Sequence, residues 1–201
     1  MTGGDRYFEQ AALWGGDEDA YQRQVRLDIL DLLPEDARSL LDVGCGDGAI
    51  TNALPEDREV VGLDPSEAAL AHVRRPTCKG NIEALPFEDG AFDLVMANDV
   101  LDHIRPEDYA AALAELDRVA GRYVLITGPH REQLEAQTAR CADCGHRYHL
   151  NRHYRTFDLE SMRDLFAGRL RPLEVRYSGD VTLAPPDPTV PLRHACGGYR
   201  T

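Results

Sequence analysis

Two groups of residues in this chain combine types and spacings that can do chemistry. The first is LLDVGCGDGAIT, Leu40–Thr51, where a compact apolar run ends in Gly44, Cys45, Gly46, Asp47 and Gly48. Glycines let the backbone turn sharply and approach a ligand closely. Asp64 ends the next apolar run, 20 residues after Gly44. A carboxylate at that place can accept hydrogen bonds from both hydroxyls of a ribose. The dinucleotide fingerprint, G-x-G-x-x-G, seats a pyrophosphate at a helix N-terminus. Here the third glycine comes one residue early, and Asp47 stands where the pyrophosphate would sit. That acid repels a phosphate and tolerates a nucleoside whose charge is positive.

The second group is CADCGHRYHLNRHYRTF, Cys141–Phe157, a Cys-x-x-Cys-Gly turn followed by His146, His149 and His153. Two cysteines two residues apart on a glycine turn can reach one tetrahedral zinc. His149 and His153 have H-x3-H spacing but stand too near Cys144 for a ββα finger. Near the C-terminus, RHACGG supplies His194 and Cys196. The candidate site is Cys141, Cys144 and Cys196, with His194 or His153 as fourth ligand. Such a zinc would be structural, since three thiolates close the coordination sphere, and it would pin the tail to the domain. Surface thiols and histidines, or a redox Cys-x-x-Cys, are the alternatives.

The elements that must position these residues follow from periodicity. Residues 17–33 place Tyr21, Val25, Ile29 and Leu32/Leu33 at helical spacing, and Pro34 stops the helix. Strands are expected at 39–43, 59–63, 92–97 and 122–127. Helices are expected from 48 to 54, 65 to 74, 106 to 119 and 157 to 167. Residues 173–178 are a further candidate strand, and 184–191 are too proline-rich for either. Strands separated by helices imply a parallel sheet covered on both faces. The expected fold is therefore α/β, doubly wound and Rossmann-like, with N-terminal helices and a small irregular C-terminal Cys/His appendage. The expected division is an N-terminal helical arm or lid over 1–36 and an α/β core over 37–130. The remaining sheet elements and the appendage fill 131–201.

With those segments in place, a family is visible. LLDVGCGDGAIT, then VVGLDPSEAAL, then NIEALPFEDGAFDLVMANDVLDHI resemble the motifs of class I methyltransferases dependent on S-adenosylmethionine (SAM). The likeness covers about residues 38–130. SAM carries a sulfonium and no phosphate, which agrees with Asp47. The resemblance implies that Asp42 and the loop Gly44, Cys45, Gly46, Gly48 lie against the methionine part of SAM. It places Asp64 and the following Pro65 at the ribose. Asn81, Ile82 and Glu83 correspond to the adenine-contacting stretch, where the family commonly has Asp at position 81; the Asn81 side-chain oxygen can still accept. Asn98 corresponds to the position that offers backbone to the methionine amine. His103 matches a histidine common there, structural or catalytic. Some small members carry a similar CxxCG…H…H segment and a later Cys knuckle.

In this fold the loop after strand 122–127 lies beside the methyl-donor pocket. His130, with Asp99, is thus a candidate general base, and an exposed loop histidine is the alternative. The aromatic residues Tyr7, Trp14 and Tyr21 could lid the pocket or pack the leading helices. Arg23 or Arg26 could meet the SAM carboxylate.

Hydrophobic residues make up 43% of the 201 residues, enough for a sizeable core. The net charge of −13 argues against a non-specific nucleic-acid binder. It divides unevenly, −16 over residues 1–121 and +3 over 122–201. No run is long enough to span a membrane and no signal peptide is evident, so a cytoplasmic protein is expected. The expected reaction is methyl transfer from SAM to oxygen or nitrogen of a small-molecule metabolite. The alternatives are an RNA or protein acceptor read by the Cys/His segment, or a SAM-binding protein without turnover.

Overall fold

The computed structural model describes residues 8–166 and 169–178. Five parallel strands form one sheet in the order β3-β2-β1-β4-β5. They are β1 (Ser39–Val43), β2 (Glu59–Asp64), β3 (Thr77–Lys79), β4 (Phe92–Asn98) and β5 (Ala120–Thr127). The chain winds outward from β1 to β3, then returns to place β4 on the other side of β1. In such sheets, ligands bind outside the carboxyl ends of the strands where the winding reverses. Here that point lies between β1 and β4, and it receives both the glycine loop and Asn98.

The central strands bury both faces, so their side chains read as apolar runs rather than alternation. Leu40, Leu94 and Met96 point to one layer, with Val25, Ile29 and Leu33. Val25 and Ile29 belong to α1 (Ala20–Leu32) and recur at the i, i+4 spacing that makes one helical face. Asp19 caps α1 through the Gln22 amide, and the Gln22 side chain returns the bond. Leu41, Val43, Val95 and Ala97 point to the opposite layer, with Ala112, Leu116 and Val119. Those three are the buried stripe of α3 (Tyr109–Val119). Each fully buried aliphatic side chain contributes roughly 1.5–3 kcal/mol. The doubly wound α/β expectation holds.

Several expected elements differ. The helix expected over 48–54 is a 3-10 turn, Thr51–Ala53. Pro55 follows it, disfavours helical backbone at Leu54, and leaves no length for a second turn. The helix over 65–74 shrinks to α2 (Glu67–Leu70), capped by Ser66, because the chain must turn at Pro76 to form β3. The helix expected from residue 106 begins at Tyr109, because Arg105 clasps Asp108 at 2.6 Å and holds a turn before it. The helix expected over 157–167 is α4 (Leu159–Asp164), opened by an Asp158 capping box; Ala167 lies outside the described residues. Residues 173–178 form no strand. A hairpin that periodicity does not reveal joins β6 (Thr138–Arg140) to β7 (Arg147–His149), antiparallel. Among the described residues, no helix is long and apolar enough to cross a membrane.

Candidate functional site

The cofactor side is built by strand ends. Gly44 and Cys45 donate their amides to the Leu63 carbonyl at 2.7 and 3.0 Å, which fixes the loop to the end of β2. Gly44 has φ +71°, and a Cβ there would fall 2.4 Å from the Val100 Cγ2. Only glycine allows that conformation and that approach together. Gly46 has φ +54° and turns its amide onto Asp64 Oδ2 at 3.0 Å, while the Ser66 amide holds Asp64 Oδ1 at 2.8 Å. Asp64 is buried, and that burial raises its carboxyl above the ordinary range, against the two amides. Each of its oxygens keeps a lone pair for a ribose hydroxyl. The Gly80 amide donates to the Asp64 carbonyl at 3.2 Å and brings the turn of Asn81, Ile82 and Glu83 alongside. Asn81 is exposed and Ile82 is a core residue.

Asp42 is 2% exposed at the end of β1. Thr51 Oγ1 donates to its Oδ2 at 2.6 Å, and Asn98 Nδ2 donates to its Oδ1 at 3.2 Å. Burial raises the Asp42 carboxyl to about 6, opposed by those two donors. The second polar atom of the Asn98 amide, Oδ1, is buried and has no hydrogen-bond partner among the described residues. A buried acceptor left unmet costs roughly 1–3 kcal/mol, so it marks a place for a donor. The residues therefore fit SAM. Asn98 and Asp42 present an acceptor and a carboxyl suited to its methionine amine, and Asp64 presents a carboxylate to its ribose.

The N-terminal arm lies over this loop. The Trp14 indole is 3.1 Å from where a Gly46 Cβ would be, and its Nε1 donates to the Phe8 carbonyl at 2.7 Å. Ser66 Oγ donates to the same carbonyl at 2.8 Å, and the Gly15 amide donates to Asp47 Oδ2 at 2.9 Å. Asp47, which excludes a phosphate, thus also tethers the arm. Arg26 is engaged by Glu18 at 2.7 Å. Tyr7 lies outside the described residues.

On the other side of Asn98, the end of β4 turns through Asp99 at φ 51° into a 3-10 turn, Leu101–His103. Thr127 Oγ1 accepts from the Asp99 amide at 3.0 Å. Asp99 is exposed in area, yet desolvation by the protein around it, with Asp102 adding, raises its carboxyl to about 6. Asp99 and Asp102 also act on the Tyr21 phenol, which burial raises first. The ring of Phe8 meets His103 edge-on at 5.5 Å. Burial, then His153, lowers His103 to about 4, so it is neutral.

The appendage returns to this face. His153 Nε2 lies 3.1 Å from Asp102 Oδ2, and its Nδ1 lies 2.5 Å from Glu132 Oε2. His149 Nε2 is 3.4 Å from Glu132 Oε1, and His149 stacks on His153. The Tyr154 amide donates to the Asp102 carbonyl at 2.7 Å, and Arg155 donates to the Leu101 carbonyl. Sequence reading missed Asp102 and Glu132, two ordinary-looking acids. Asp102 is flanked by Leu101 and His103 in VLDHI, which does not set it apart from a surface acid.

The expected metal ligands divide. Cys141 and Cys144 lie in the turn between β6 and β7, with the Cys141 amide on the His146 carbonyl at 2.9 Å and Gly145 at φ +71°. Cys196 and His194 lie outside the described residues. His153 is directed to Asp102 and Glu132 rather than to the cysteines, because a turn closed by the Arg152 amide on the His149 carbonyl at 3.0 Å reverses the chain. His130 is exposed, bridges Phe157 through its backbone, and packs its ring on Tyr177 at 4.6 Å.

Comparison with known proteins agrees with the cofactor side. Residues 41–123 match the methyltransferase domain family. A protein of Mycolicibacterium smegmatis named a probable S-adenosylmethionine-dependent methyltransferase is 29% identical over 160 residues, 72% of this chain and 62% of that protein. The malonyl-[acyl-carrier protein] O-methyltransferase of Legionella pneumophila is 36% identical over 114 residues, 51% of this chain and 37% of that protein. The first three curated relatives are matched over 33%, 37% and 62% of their own lengths. A SAM-dependent methyltransferase of Thermotoga maritima shares the fold at a TM-score of 0.56 and 24% identity, over 71% of this chain and 67% of that one. Residues 41–123 of this chain thus match a methyltransferase domain, carried on a fold shared with SAM-dependent methyltransferases.

Proposed function

We propose that this protein transfers a methyl group from SAM to an oxygen or nitrogen of a small-molecule acceptor. The observation that carries the reading is the unmet Asn98 Oδ1 beside Asp42, a polar notch where the methionine amine belongs. Methyl transfer is an in-line displacement, and the sulfonium brings its own leaving group. The protein's task is to hold the methyl in line with the nucleophile and keep water away. Asp64 grips the ribose, the Asn81–Glu83 turn meets the adenine, and Asp42 with Asn98 fixes the amine.

The acceptor would then approach over Asp99 and His103. Relatives named for O-methylation of a malonyl group accord with an oxygen acceptor. An acceptor that holds its proton needs a base. Asp99, raised to about 6 and exposed beside Asn98, suits that role; His130 remains a second candidate from the edge of β5. The Cys-x-x-Cys-Gly turn between β6 and β7 has the form of half a structural zinc site. Its other ligands would be Cys196 and His194.

Titration calorimetry tests the reading. SAM and its demethylated product should bind one per chain, and NAD should not. Release of labelled methyl to members of a metabolite panel should follow. NAD binding without affinity for either adenosyl compound would overturn it.

A further inference from the structure

The appendage histidines and the turn after β4 leave a group of buried polar atoms that SAM chemistry does not use. Asp102 is fully buried, and among the described residues neither of its carboxylate oxygens has a hydrogen-bond partner. An ionised carboxylate so placed needs a cation close by. His153 Nε2 stands 3.1 Å and His103 Nε2 3.5 Å from the same oxygen, Asp102 Oδ2. The ligand atoms of all three residues lie within 4.8 Å of one another. Bonds of about 2.1 Å in a tetrahedral site put neighbouring ligand atoms about 3.4 Å apart. The two measured spacings bracket that value.

The surroundings match the same assignment. His153 Nδ1 is 2.5 Å from Glu132 Oε2, within hydrogen-bond distance. With the ring proton on Nδ1, the Nε2 lone pair faces Asp102. Lone pair and carboxylate repel unless a cation stands between them. A carboxylate holding the far nitrogen of a ligating histidine is the usual support of a metal site. A rival group, Glu132 with His149 and His153, is also close enough to ligate. There, however, His149 Nδ1 accepts the His153 amide at 3.2 Å, which puts the neutral ring's proton on Nε2, toward Glu132. His149 Nε2 then carries a proton and is not a ligand, and His149 holds His153 through that amide and by stacking.

We propose that Asp102, His103 and His153 form a site for one divalent transition-metal ion beside the methyl-donor pocket, with Glu132 and His149 holding His153 in place. Two imidazoles and one carboxylate suit zinc, manganese, iron or cobalt in the divalent state. Three protein ligands leave a position open. The His103 ring, partly exposed and against Phe8, is on the pocket side of the group. An acceptor oxygen bound there would lose its proton more readily and be fixed for attack. That use of the ion rests on the methyltransferase reading. The binding of the ion does not. The site is also separate from the Cys141–Cys144 turn.

Cobalt(II) titration of the full chain tests it, because a nitrogen–oxygen site and a thiolate site give different spectra. In a Cys141→Ser/Cys144→Ser background, one equivalent of Co2+ should still bind, with d–d bands and no thiolate charge-transfer band. His153→Gln in that background should abolish this binding. Glu132→Gln should weaken it about 10- to 100-fold. Affinity for the demethylated product of SAM, measured on every variant, shows that the fold is intact and is read independently of the metal. If the double serine variant loses its fold, the same bands are read in wild-type protein against His153→Gln alone. Absence of any Co2+ signal, or a signal that survives His153→Gln, would overturn the proposal. The first of those outcomes leaves His153 as an imidazolium shared by Asp102 and Glu132.

Discussion

The two sides of Asn98 are built on opposite terms. On the cofactor side almost every buried polar atom is answered from nearby backbone. Asp64 takes the Gly46 and Ser66 amides, Asp42 takes Thr51, and Asn98 Oδ1 stands out as the buried atom left unmet. On the acceptor side the unmet atoms accumulate: both oxygens of Asp102, His103 Nδ1, Glu132 Oε1 and His149 Nε2. A satisfied network is rigid and presents one fixed shape, which suits a cofactor that never changes. A network short of partners is completed by what binds to it. On the proposed reading, the acceptor side is where the protein's particular chemistry would reside.

The sharpest way to break this comparison is to remove a satisfied group. Asp64→Ala would delete the two proposed ribose contacts and strand two loop amides. Hydrogen bonds to a charged group contribute about 1.5–3 kcal/mol each, so affinity for SAM should fall about a hundredfold or more by calorimetry. Asp64→Asn keeps one acceptor and should lose less. A ten-fold or smaller loss in Asp64→Ala would mean that the ribose is not held there, and the cofactor side would have to be redrawn.

The clustering of these proposed cofactor groups was legible because each is local. Gly44, Gly46 and Gly48 announce a turn, and Asp64 sits where a second strand must end. Asp42 and Asn98 are reached by counting along β1 and β4. The first crossover helix was misjudged because Pro55 outweighs the helical pattern before it. β3 escaped notice because it is three residues long, with only Cys78 partly covered. The acceptor side was not legible, for a different reason. Asp102 meets His153 only after the hairpin of β6 and β7 reverses the chain over some fifty residues. Nothing near Asp102 or Glu132 in sequence tells them from surface acids. His153 was read with the cysteines because they are its neighbours in sequence.

A smaller effect is expected from protonation. Burial raises the Asp42 carboxyl from its ordinary 3.8 to about 6 in the folded protein. A folded value above the unfolded one means that the protonated carboxyl favours the fold. Its contribution is full below the unfolded value and is lost as pH rises through 6. Cofactor binding should run the other way, because the ionised carboxylate attracts the amine and sulfonium. Affinity for SAM should fall by up to about tenfold per unit as pH drops below 6. Asp42→Asn should flatten both slopes in calorimetry and thermal melts. Slopes unchanged in that variant would assign the titration to another group, such as Asp99.

The smallest effect should come from the arm, which belongs to both sides at once. Trp14 is the only tryptophan in the chain. Its ring rests on Gly46, and through the Phe8 carbonyl it shares a hydrogen-bonded corner with Ser66. Phe8 carries the contact on to His103. A ligand entering between Gly46 and Asn98 must change the surroundings of that indole, so SAM should alter the intrinsic fluorescence of the wild-type protein. Trp14→Phe keeps the packing and loses the Nε1 bond, worth about 0.5–1.5 kcal/mol. Its KM for SAM should rise about two- to tenfold with kcat little changed. A fall in kcat with KM unchanged would show instead that the arm acts on the acceptor, through Phe8 and His103. The division between a finished side and an unfinished one would then have to include the arm in the unfinished half.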